Sequence, residues 1–432
     1  MKHLNEPSFN TLPGPTDITR VTLPNGITIL TRSNFNSPSA VLSGYLGAGS
    51  LFDPPEKLSL AYFTCQGLMR GNVNHDFNQV YDLLESSGAS LGLGASVHTA
   101  SFGGRCLVED LPLLLQILSE SLRQPVFPGE HIERLRARLM TSLAMRAQDT
   151  ADMASLTFDE TIFPNHPYGL PEDGFPETVQ NVTREDIVTF HKEHFGPAGM
   201  VLVVVGAITA QEVIDLATSA FGDWQNPLQK SPPKLPAIEP LNQTVRKHIT
   251  IPGKTQTDII IGTLGPKRKS PDYLAASLGN SILGQFGMMG RIGDIVREQA
   301  GLAYHASTSL NAWIENGSWE VSAGVNPNNL QQAIDLIIKE LERFVKEPVS
   351  DEELSENQSN FIGRLPLSLE SNGGVAGALL NLERFQLGLD YYQKYPQLVK
   401  EITPENILET ARRYINPDKL AVISAGIESG KQ

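Results

Sequence analysis

The chain has 432 residues, and this length favours two domains because a single hydrophobic core rarely grows beyond about 250–300 residues. Hydrophobic residues make up 40% of the chain and charged residues 19%, which is typical of a globular protein. The formal net charge of −14 argues against nucleic acid as a partner, since phosphate binding requires clustered Lys and Arg.

Cysteine content and N-terminal composition indicate where the protein resides. The two cysteines, Cys65 and Cys106, form no disulfide framework and fit a reducing compartment. Residues 1–13 are polar and lack the apolar stretch of a signal peptide. No apolar run approaches the roughly 20 residues that span a bilayer. We therefore expect a cytoplasmic protein with no membrane partner.

Short strands and long amphipathic helices account for most of the chain. Apolar residues at helical spacing predict helices at 60–67, 109–122, 128–146 and 330–346. Apolar and alternating runs predict strands at 40–48, 201–205, 258–264, 302–313 and 317–325. Strands with helices gathered on one face predict an α+β sandwich in each half, with a mostly antiparallel sheet.

The chain contains an internal repeat with an offset of 220 residues. The run from Val182 to Gly206 aligns without a gap with the run from Ile402 to Gly426. Each copy reads as a Thr N-cap, an acidic first turn, an amphipathic helix, a Pro-containing turn and a buried strand that ends at Gly. Matching Thr, Glu, Ile, Pro and Gly at one offset predict two homologous domains.

A proline-rich stretch separates the two copies. Residues 223–244 contain five prolines, which exclude regular secondary structure and favour a semi-rigid linker. We predict a first domain at 1–225, a linker at 226–244 and a second domain at 245–432.

Several motifs make the chain similar to a known family. They are Gly47-Ala-Gly-Ser50, Pro54-Pro55, Leu60-Ala61, Gly290-Arg-Ile, and Arg297-Glu-Gln-Ala-Gly-Leu-Ala-Tyr304. With the helix that leads into 201–206, they resemble the pitrilysin/insulinase-like metallopeptidases, the inverzincins, from about residue 21 to 426. That family includes the mitochondrial processing peptidase and bacterial two-subunit relatives.

The resemblance implies a zinc site that this chain does not carry. Active members have a His-x-x-Glu-His helix, in which two His bind zinc and the Glu acts as general base. Tyr62 and Gln66 stand at the two His positions, and Cys65 stands at the Glu position. The third-ligand position falls near Ser142 or Leu143, and no acid lies between residues 133 and 149. We therefore expect no metal to be bound by this chain.

Two other groups could supply a reactive site. Cys65 could be a thiolate ligand or a nucleophile, although no His lies at helical spacing from it, and packing is its ordinary role on a buried helix. His191 and His194 lie one turn apart with a Glu between them, and a metal site there requires a third ligand. In the resembling family this helix is structural.

The second half retains an Arg–Tyr pair that active members require. The pair is Arg297 and Tyr304, placed at the end of a predicted helix, 291–299, and at the start of a strand, with Gly301 as the C′ residue. The resemblance implies that both hydrogen-bond substrate carbonyls and help to stabilise the developing oxyanion. The alternative is structural, with Arg297 capping the helix and Tyr304 packing on the sheet.

A glycine-rich segment precedes this helix. Gly284, Gly287 and Gly290 lie in it, but the Gly-Lys-Ser/Thr of a phosphate-binding loop is absent. Processing-peptidase relatives use a glycine-rich loop of their zinc-free subunit to handle substrate, which makes these glycines and Arg291 candidate substrate contacts. The alternative is a turn that packs under the helix.

These observations predict the zinc-free subunit of a two-chain metallopeptidase. A homologous sister subunit would bind the zinc, and this chain would supply Arg297 and Tyr304 for hydrolysis of a peptide or unfolded polypeptide. The isolated chain could form a homodimer. The alternative is a non-catalytic scaffold or assembly subunit derived from such a peptidase.

Overall fold

The computed structural model describes residues 12–287 and 290–427. The elements of the first half, in chain order, are β1 (Thr19–Thr22), β2 (Thr28–Ser33), β3 (Ser39–Leu46), α1 (Leu60–Leu68), α2 (Phe77–Ser86), β4 (Ser90–Ala95), β5 (Ala100–Leu107), α3 (Leu111–Arg123), α4 (Gly129–Arg146), α5 (Thr150–Ile162), α6 (Pro176–Asn181), α7 (Arg184–His194), β6 (Val201–Gly206) and α8 (Ala210–Phe221). Those of the second half are β7 (Val245–Thr250), β8 (Thr257–Leu264), α9 (Tyr273–Gly284), α10 (Gly290–Gly293), a π-helix (Asp294–Gln299), β9 (Ala303–Asn311), β10 (Ser318–Val325), α11 (Leu330–Phe344), α12 (Asp351–Ser368), α13 (Asn372–Arg384), α14 (Tyr391–Lys400), α15 (Pro404–Tyr414) and β11 (Ala421–Gly426).

The strands form two sheets of the same topology, which confirms the predicted duplication. The first sheet has the order β1-β2-β6-β3-β5-β4, and the second has the order β7-β11-β8-β10-β9. Without β1 the two orders correspond strand by strand. In each sheet one pair is parallel, β2 with β6 and β7 with β11, and the other pairs are antiparallel. The predicted α+β class with mostly antiparallel sheets is therefore confirmed.

The repeat seen in the sequence corresponds to the same local structure in both copies. Thr183 and Thr403 cap α7 and α15, and each forms a capping box with the residue three positions later, Asp186 or Asn406. These boxes satisfy the backbone N–H groups at the helix starts and set where both helices begin. Every residue of β6 and β11, the strands that follow, is buried.

The chain folds into two compact units that are not contiguous in sequence. The first unit contains residues 12–141, 171–234 and 365–394, and the second contains residues 142–170, 235–364 and 395–427. The second half of the chain thus contributes α13 to the first unit, and the first half contributes α5 to the second. Residues 223–244, the proline-rich stretch, form neither helix nor strand and contribute to both units.

The contributed helix α13 buries one face of the first sheet. Val201, Val203 and Val205 of β6 pack in one hydrophobic cluster with Leu379 and other apolar residues of α13. Since side chains alternate along a strand, the residues between these valines point to the opposite face, where the helices of the first half lie. The first sheet is therefore covered by helices on both faces and not, as the sequence predicted, on one face, and this explains why β6 has no exposed residue.

The second unit has the same arrangement with its own cluster. Ile259 and Ile261 of β8 pack with Trp319, Phe344 and apolar residues of α9 and α11. The contributed helix α5 contacts β8 and β11, and Thr150 at its start donates a hydrogen bond to the buried carboxylate of Asp258. In the described ranges no helix is long and apolar enough to cross a membrane.

Candidate functional site

The degenerate motif lies on α1 in the first unit. The carboxylate of Asp53 accepts hydrogen bonds from the backbone N–H groups of Ser59 (3.0 Å) and Ala61 (2.9 Å), so a residue distant in sequence caps this helix. Ser59 adopts a positive φ of 85° at the junction. Burial raises the pKa of the Asp53 carboxyl to about 8. Sequence reasoning missed Asp53 because local patterns detect only caps that adjoin the helix.

The three residues at the motif positions do not form a ligand set for zinc. The Gln66 side-chain Nε2 donates to the backbone carbonyl of Leu93 (3.4 Å) on β4. The Tyr62 hydroxyl is half-buried, and burial raises its pKa, so it stays protonated. Cys65 is fully buried, and burial raises the pKa of its thiol well above the usual value. A neutral amide, a phenol and a thiol cannot replace two imidazoles and a carboxylate around zinc.

The described residues form no other metal site. Within residues 12–287 and 290–427, no group of three or more His, Cys, Asp or Glu side chains is arranged to hold a metal ion. The burial of Cys65 leaves its thiol without access to a substrate and favours packing over nucleophilic chemistry.

His191 and His194 occupy two different environments on α7. The His191 ring uses its Nε2 in a hydrogen bond with the backbone carbonyl of Leu122 (2.8 Å) and stacks on Phe195 at 5.0 Å between centroids. The His194 ring packs against Phe52 and Phe190, with ring centroids 3.9 Å and 4.5 Å apart and tilted ring planes. Burial lowers the pKa of both imidazoles, that of His194 to about 4. These contacts favour the structural role of this helix.

The His194 environment makes stability depend on pH. A folded-state pKa of about 4, below the ordinary value near 6.5, means that the unfolded chain binds more protons between those values. We expect the free energy of unfolding to fall as the pH drops from about 6.5 to about 4, and this contribution to be absent from His194→Phe. Urea unfolding of both proteins across pH 4–8 measures the difference. A difference between them that does not vary with pH would contradict the burial of a neutral imidazole.

The helix that carries Arg297 is only partly an α-helix. The sequence predicts one helix over 291–299, whereas α10 ends at Gly293 and continues as the π-helix Asp294–Gln299. Gln299 Nε2 donates to the carboxylate of Asp294 (2.6 Å), which lies five residues earlier. Residues five positions apart are neighbours on a π-helix. Gly301 N–H then donates to the Arg297 carbonyl (3.1 Å), and Gly301 ends the helix as predicted.

Both members of the predicted pair lie in the second unit and have accessible side chains. Arg297 is 36% exposed, and its Nε lies 3.5 Å from a carboxylate oxygen of Glu298. Tyr304, on the outer strand β9, is 66% exposed. Ala303 pairs with Val325 and His305 pairs with Gly324, so Tyr304 is the extra residue of a β-bulge. Bulges re-aim side chains and are frequent beside functional sites, and exposure at a bulge disfavours the alternative in which Tyr304 packs on the sheet.

Gly284 and Gly290 are required by close packing. A Cβ on Gly284 would lie 2.6 Å from the backbone N of Thr308, and a Cβ on Gly290 would lie 2.6 Å from the backbone N of Gly284. Gly287 has φ +61°, and no atom lies within 4 Å of a Cβ there. Met288 and Met289, which separate Gly287 from Gly290, lie outside the described residues. The structure thus gives two of the three glycines a packing role and leaves Gly287 as the accessible one.

Arg291 belongs to an ion network inside the second unit. Its guanidinium makes two hydrogen bonds of 2.7 Å with the Glu353 carboxylate and lies 3.7 Å from the buried carboxylate of Glu340. This pairing holds the pKa of the Glu353 carboxyl at about 2. The bidentate pair holds the Arg291 guanidinium through Nε and one terminal nitrogen inside the unit, which favours a structural role for Arg291 over substrate contact.

The chain is similar to peptidases along most of its length. An uncharacterized zinc protease of Streptomyces coelicolor is 24% identical over 408 residues, which cover 91% of this chain and 86% of that protein. The mitochondrial-processing peptidase subunit beta of Saccharomyces cerevisiae is 23% identical over 417 residues, covering 92% of this chain and 86% of that protein.

Solved structures show the same fold. A peptidase M16 inactive domain from Pseudomonas fluorescens superposes with a TM-score of 0.90 at 23% identity, over 96% of this chain and 99% of that chain. A protease from Helicobacter pylori superposes with a TM-score of 0.89 at 19% identity, over 96% of this chain and all of that chain.

Family profiles match both halves. Residues 28–171 match the insulinase profile (peptidase family M16), and residues 181–361 match the peptidase M16 inactive domain. The second match contains Arg297 and Tyr304, and the first contains the degenerate positions on α1. The chain therefore belongs to the insulinase-like peptidase family M16.

Proposed function

We propose that this chain is the zinc-free subunit of a two-chain metallopeptidase and contributes Arg297 and Tyr304 to peptide-bond hydrolysis. The observation that carries the proposal is the exposed Tyr304 at a β-bulge, next in the chain to the π-helix that bears Arg297. Both features are local departures from regular structure, and such departures persist where a side chain must be aimed. A zinc site that this chain cannot form would come from a homologous sister subunit.

The two side chains suit the binding of a polarised carbonyl. The Arg297 guanidinium is permanently charged and presents its donors in a planar fork, and the Tyr304 hydroxyl donates a proton without ionising. Donors placed where negative charge develops stabilise the transition state more than the ground state. In this role Arg297 and Tyr304 orient the substrate carbonyl and stabilise the oxyanion, and neither needs to transfer a proton.

The similarity to a protein named as a subunit supports the partner part of the proposal. The yeast relative is the beta subunit of the mitochondrial-processing peptidase, and a subunit functions together with another chain. A chain that lacks its own metal ligands can remain in a peptidase only if a partner supplies them. The lack of metal ligands also favours the second candidate function, a non-catalytic scaffold or assembly subunit.

Reconstitution tests the proposal against the scaffold alternative. The substrate is an unstructured basic peptide, which the net charge of −14 favours. The test compares this chain alone, a zinc-bearing sister chain alone, and the two mixed. We expect hydrolysis only in the mixture, and loss of that activity with a chelator. Full activity of the sister chain alone, unchanged when this chain is added, would reject the proposal and support a scaffold.

A further inference from the structure

The two sheets of the duplicated fold differ at one edge. In the first unit, β1 pairs antiparallel with β2, from Thr19 opposite Thr31 to Thr22 opposite Thr28. In the second unit β7, the equivalent of β2, is an outer strand. Residues 236–239 lie as far before the start of β7 as β1 lies before the start of β2, so they are the equivalent of β1 in the second unit. They begin with Pro236, precede Pro240 and form no strand, because proline lacks the N–H that a ladder needs.

Within residues 12–287 and 290–427, no strand pairs with the outer edge of β7. On the side of β11, the N–H group of Val245 donates to the Leu420 carbonyl (2.9 Å), and the N–H group of Ile251 donates to the Gly426 carbonyl (2.8 Å). In a parallel ladder the backbone groups of alternate residues face opposite ways, so Arg246, His248 and Thr250 direct theirs away from β11. All three residues are exposed. This edge can therefore accept an antiparallel strand in the way that β2 accepts β1.

The side chains of this edge are basic. Arg246, Lys247 and His248 stand where β2 has three buried residues, Ile29, Leu30 and Thr31. Arg246 and His248 line a groove with residues of α11 and β11, namely Leu330, Gln331, Ile334, Val422 and Ser424. His248 Nδ1 is hydrogen-bonded to the Ser424 hydroxyl (2.8 Å).

The other outer strands differ in charge. β4 has no charged residue, β1 has a single basic residue, Arg20, and β9 has a single basic residue, His305. Charged side chains on an outer strand discourage edge-to-edge pairing of β-sheets. Three consecutive basic residues, in a chain with an overall charge of −14, instead create a local site for carboxylates.

We propose that the outer edge of β7 binds an extended acidic segment of a partner protein by antiparallel strand addition. The backbone groups of Arg246 and His248 would pair with the added strand, as in other complexes formed by strand addition. Acidic residues of that strand would lie opposite Arg246 and Lys247, where opposite charges on facing strands stabilise pairing. This interaction surface is separate from Arg297 and Tyr304 and does not depend on the peptidase role.

The probe is an acetylated and amidated peptide, Val-Glu-Glu-Thr-Glu-Glu-Val-Thr, whose adjacent glutamates face both sides of an added strand, and it carries a fluorophore for anisotropy titration of the full chain. We expect saturable binding that weakens at least tenfold in the double variant Arg246→Glu/Lys247→Glu. The charge-matched control is Lys339→Glu/Lys400→Glu, two exposed lysines of the second unit that do not line the groove, and we expect less than a twofold change. Circular dichroism checks that both variants are folded.

Backbone methylation of the peptide separates strand addition from simple charge attraction. Two peptides are compared, one N-methylated at the odd-numbered residues and the other at the even-numbered residues. Each loses the N–H groups along one edge of the peptide strand and keeps those along the other edge. We expect one of the two methylated peptides to lose binding and the other to retain it. No saturable binding, equal weakening by the control variant, or equal binding of both methylated peptides would overturn the proposal. Dissociation of a homodimer of this chain by the peptide would also overturn it, since a second copy would then occupy the edge.

Discussion

Replacing Arg297 by Ala is expected to lower kcat/KM of the reconstituted two-chain peptidase by about 10²–10³-fold, the usual effect of removing one oxyanion donor. Tyr304→Phe, which removes only the hydroxyl, is expected to have an effect of the same order. Most of the loss should be in kcat, because these donors act on charge that develops in the transition state. Steady-state kinetics of the mixture, with each variant at saturating sister chain, measures both constants.

Controls distinguish this loss from a folding defect. Tyr304 is 66% exposed, and an exposed substitution changes the free energy of unfolding by no more than about 0.5 kcal/mol. Arg413→Ala removes a guanidinium that is more exposed than that of Arg297 and pairs with Asp272, and it should leave kcat/KM unchanged. Arg297→Lys keeps the charge but not the planar fork and should give an intermediate rate. Full activity of Arg297→Ala and Tyr304→Phe would assign both residues to structure and favour the scaffold role.

Gly290→Ala is expected to destabilise the second unit by about 2–4 kcal/mol. A side chain at φ +63° is strained, and the new Cβ would lie 2.6 Å from the backbone of Gly284 and of Ile282, which cannot move aside as a flexible side chain can. Gly287→Ala, the matched control, introduces strain at φ +61° without any close contact and is expected to cost only about 1 kcal/mol. Urea unfolding followed by tryptophan fluorescence detects this loss, because two of the three tryptophans, Trp313 and Trp319, lie in the second unit.

The same pair of variants tests the glycine-rich segment as a substrate loop. If the segment handles substrate, Gly287→Ala should lower the activity of the reconstituted enzyme more than its small loss of stability explains. If the segment is only a turn, Gly287→Ala should retain full activity at temperatures where it is folded. Equal stability of Gly290→Ala and the unmodified chain would contradict the close approach of Gly290 to Gly284.

Much of the fold could be predicted from local patterns. The capping boxes at Thr183 and Thr403 set the starts of two equivalent helices, and the apolar runs at 201–206 and 421–426 set two buried strands. Both signals depend on residues that are neighbours in the chain, which is why the repeat was visible without coordinates. The helix that carries Arg297 and its end at Gly301 were predicted for the same reason.

Features that depend on distant residues were not predictable. The π-helix needs the Asp294–Gln299 hydrogen bond, which an α-helical pattern does not anticipate, and the bulge at Tyr304 is set by pairing with β10. The pairing of Arg291 with Glu353 joins residues 62 positions apart and assigns to the interior a side chain that the sequence suggested as a substrate contact.

The sequence by itself determined the duplicated α+β fold, the family resemblance, and the absence of zinc ligands on α1, because each depends on residue identity at positions close in the chain. The tertiary structure decided that α5 and α13 each pack on the sheet of the other half, that Cys65 and His194 are buried, and that the edge of β7 is open. These outcomes depend on long-range packing: a sheet buries its second face against whichever apolar helix the chain brings to it, and no local pattern in the sequence records that choice.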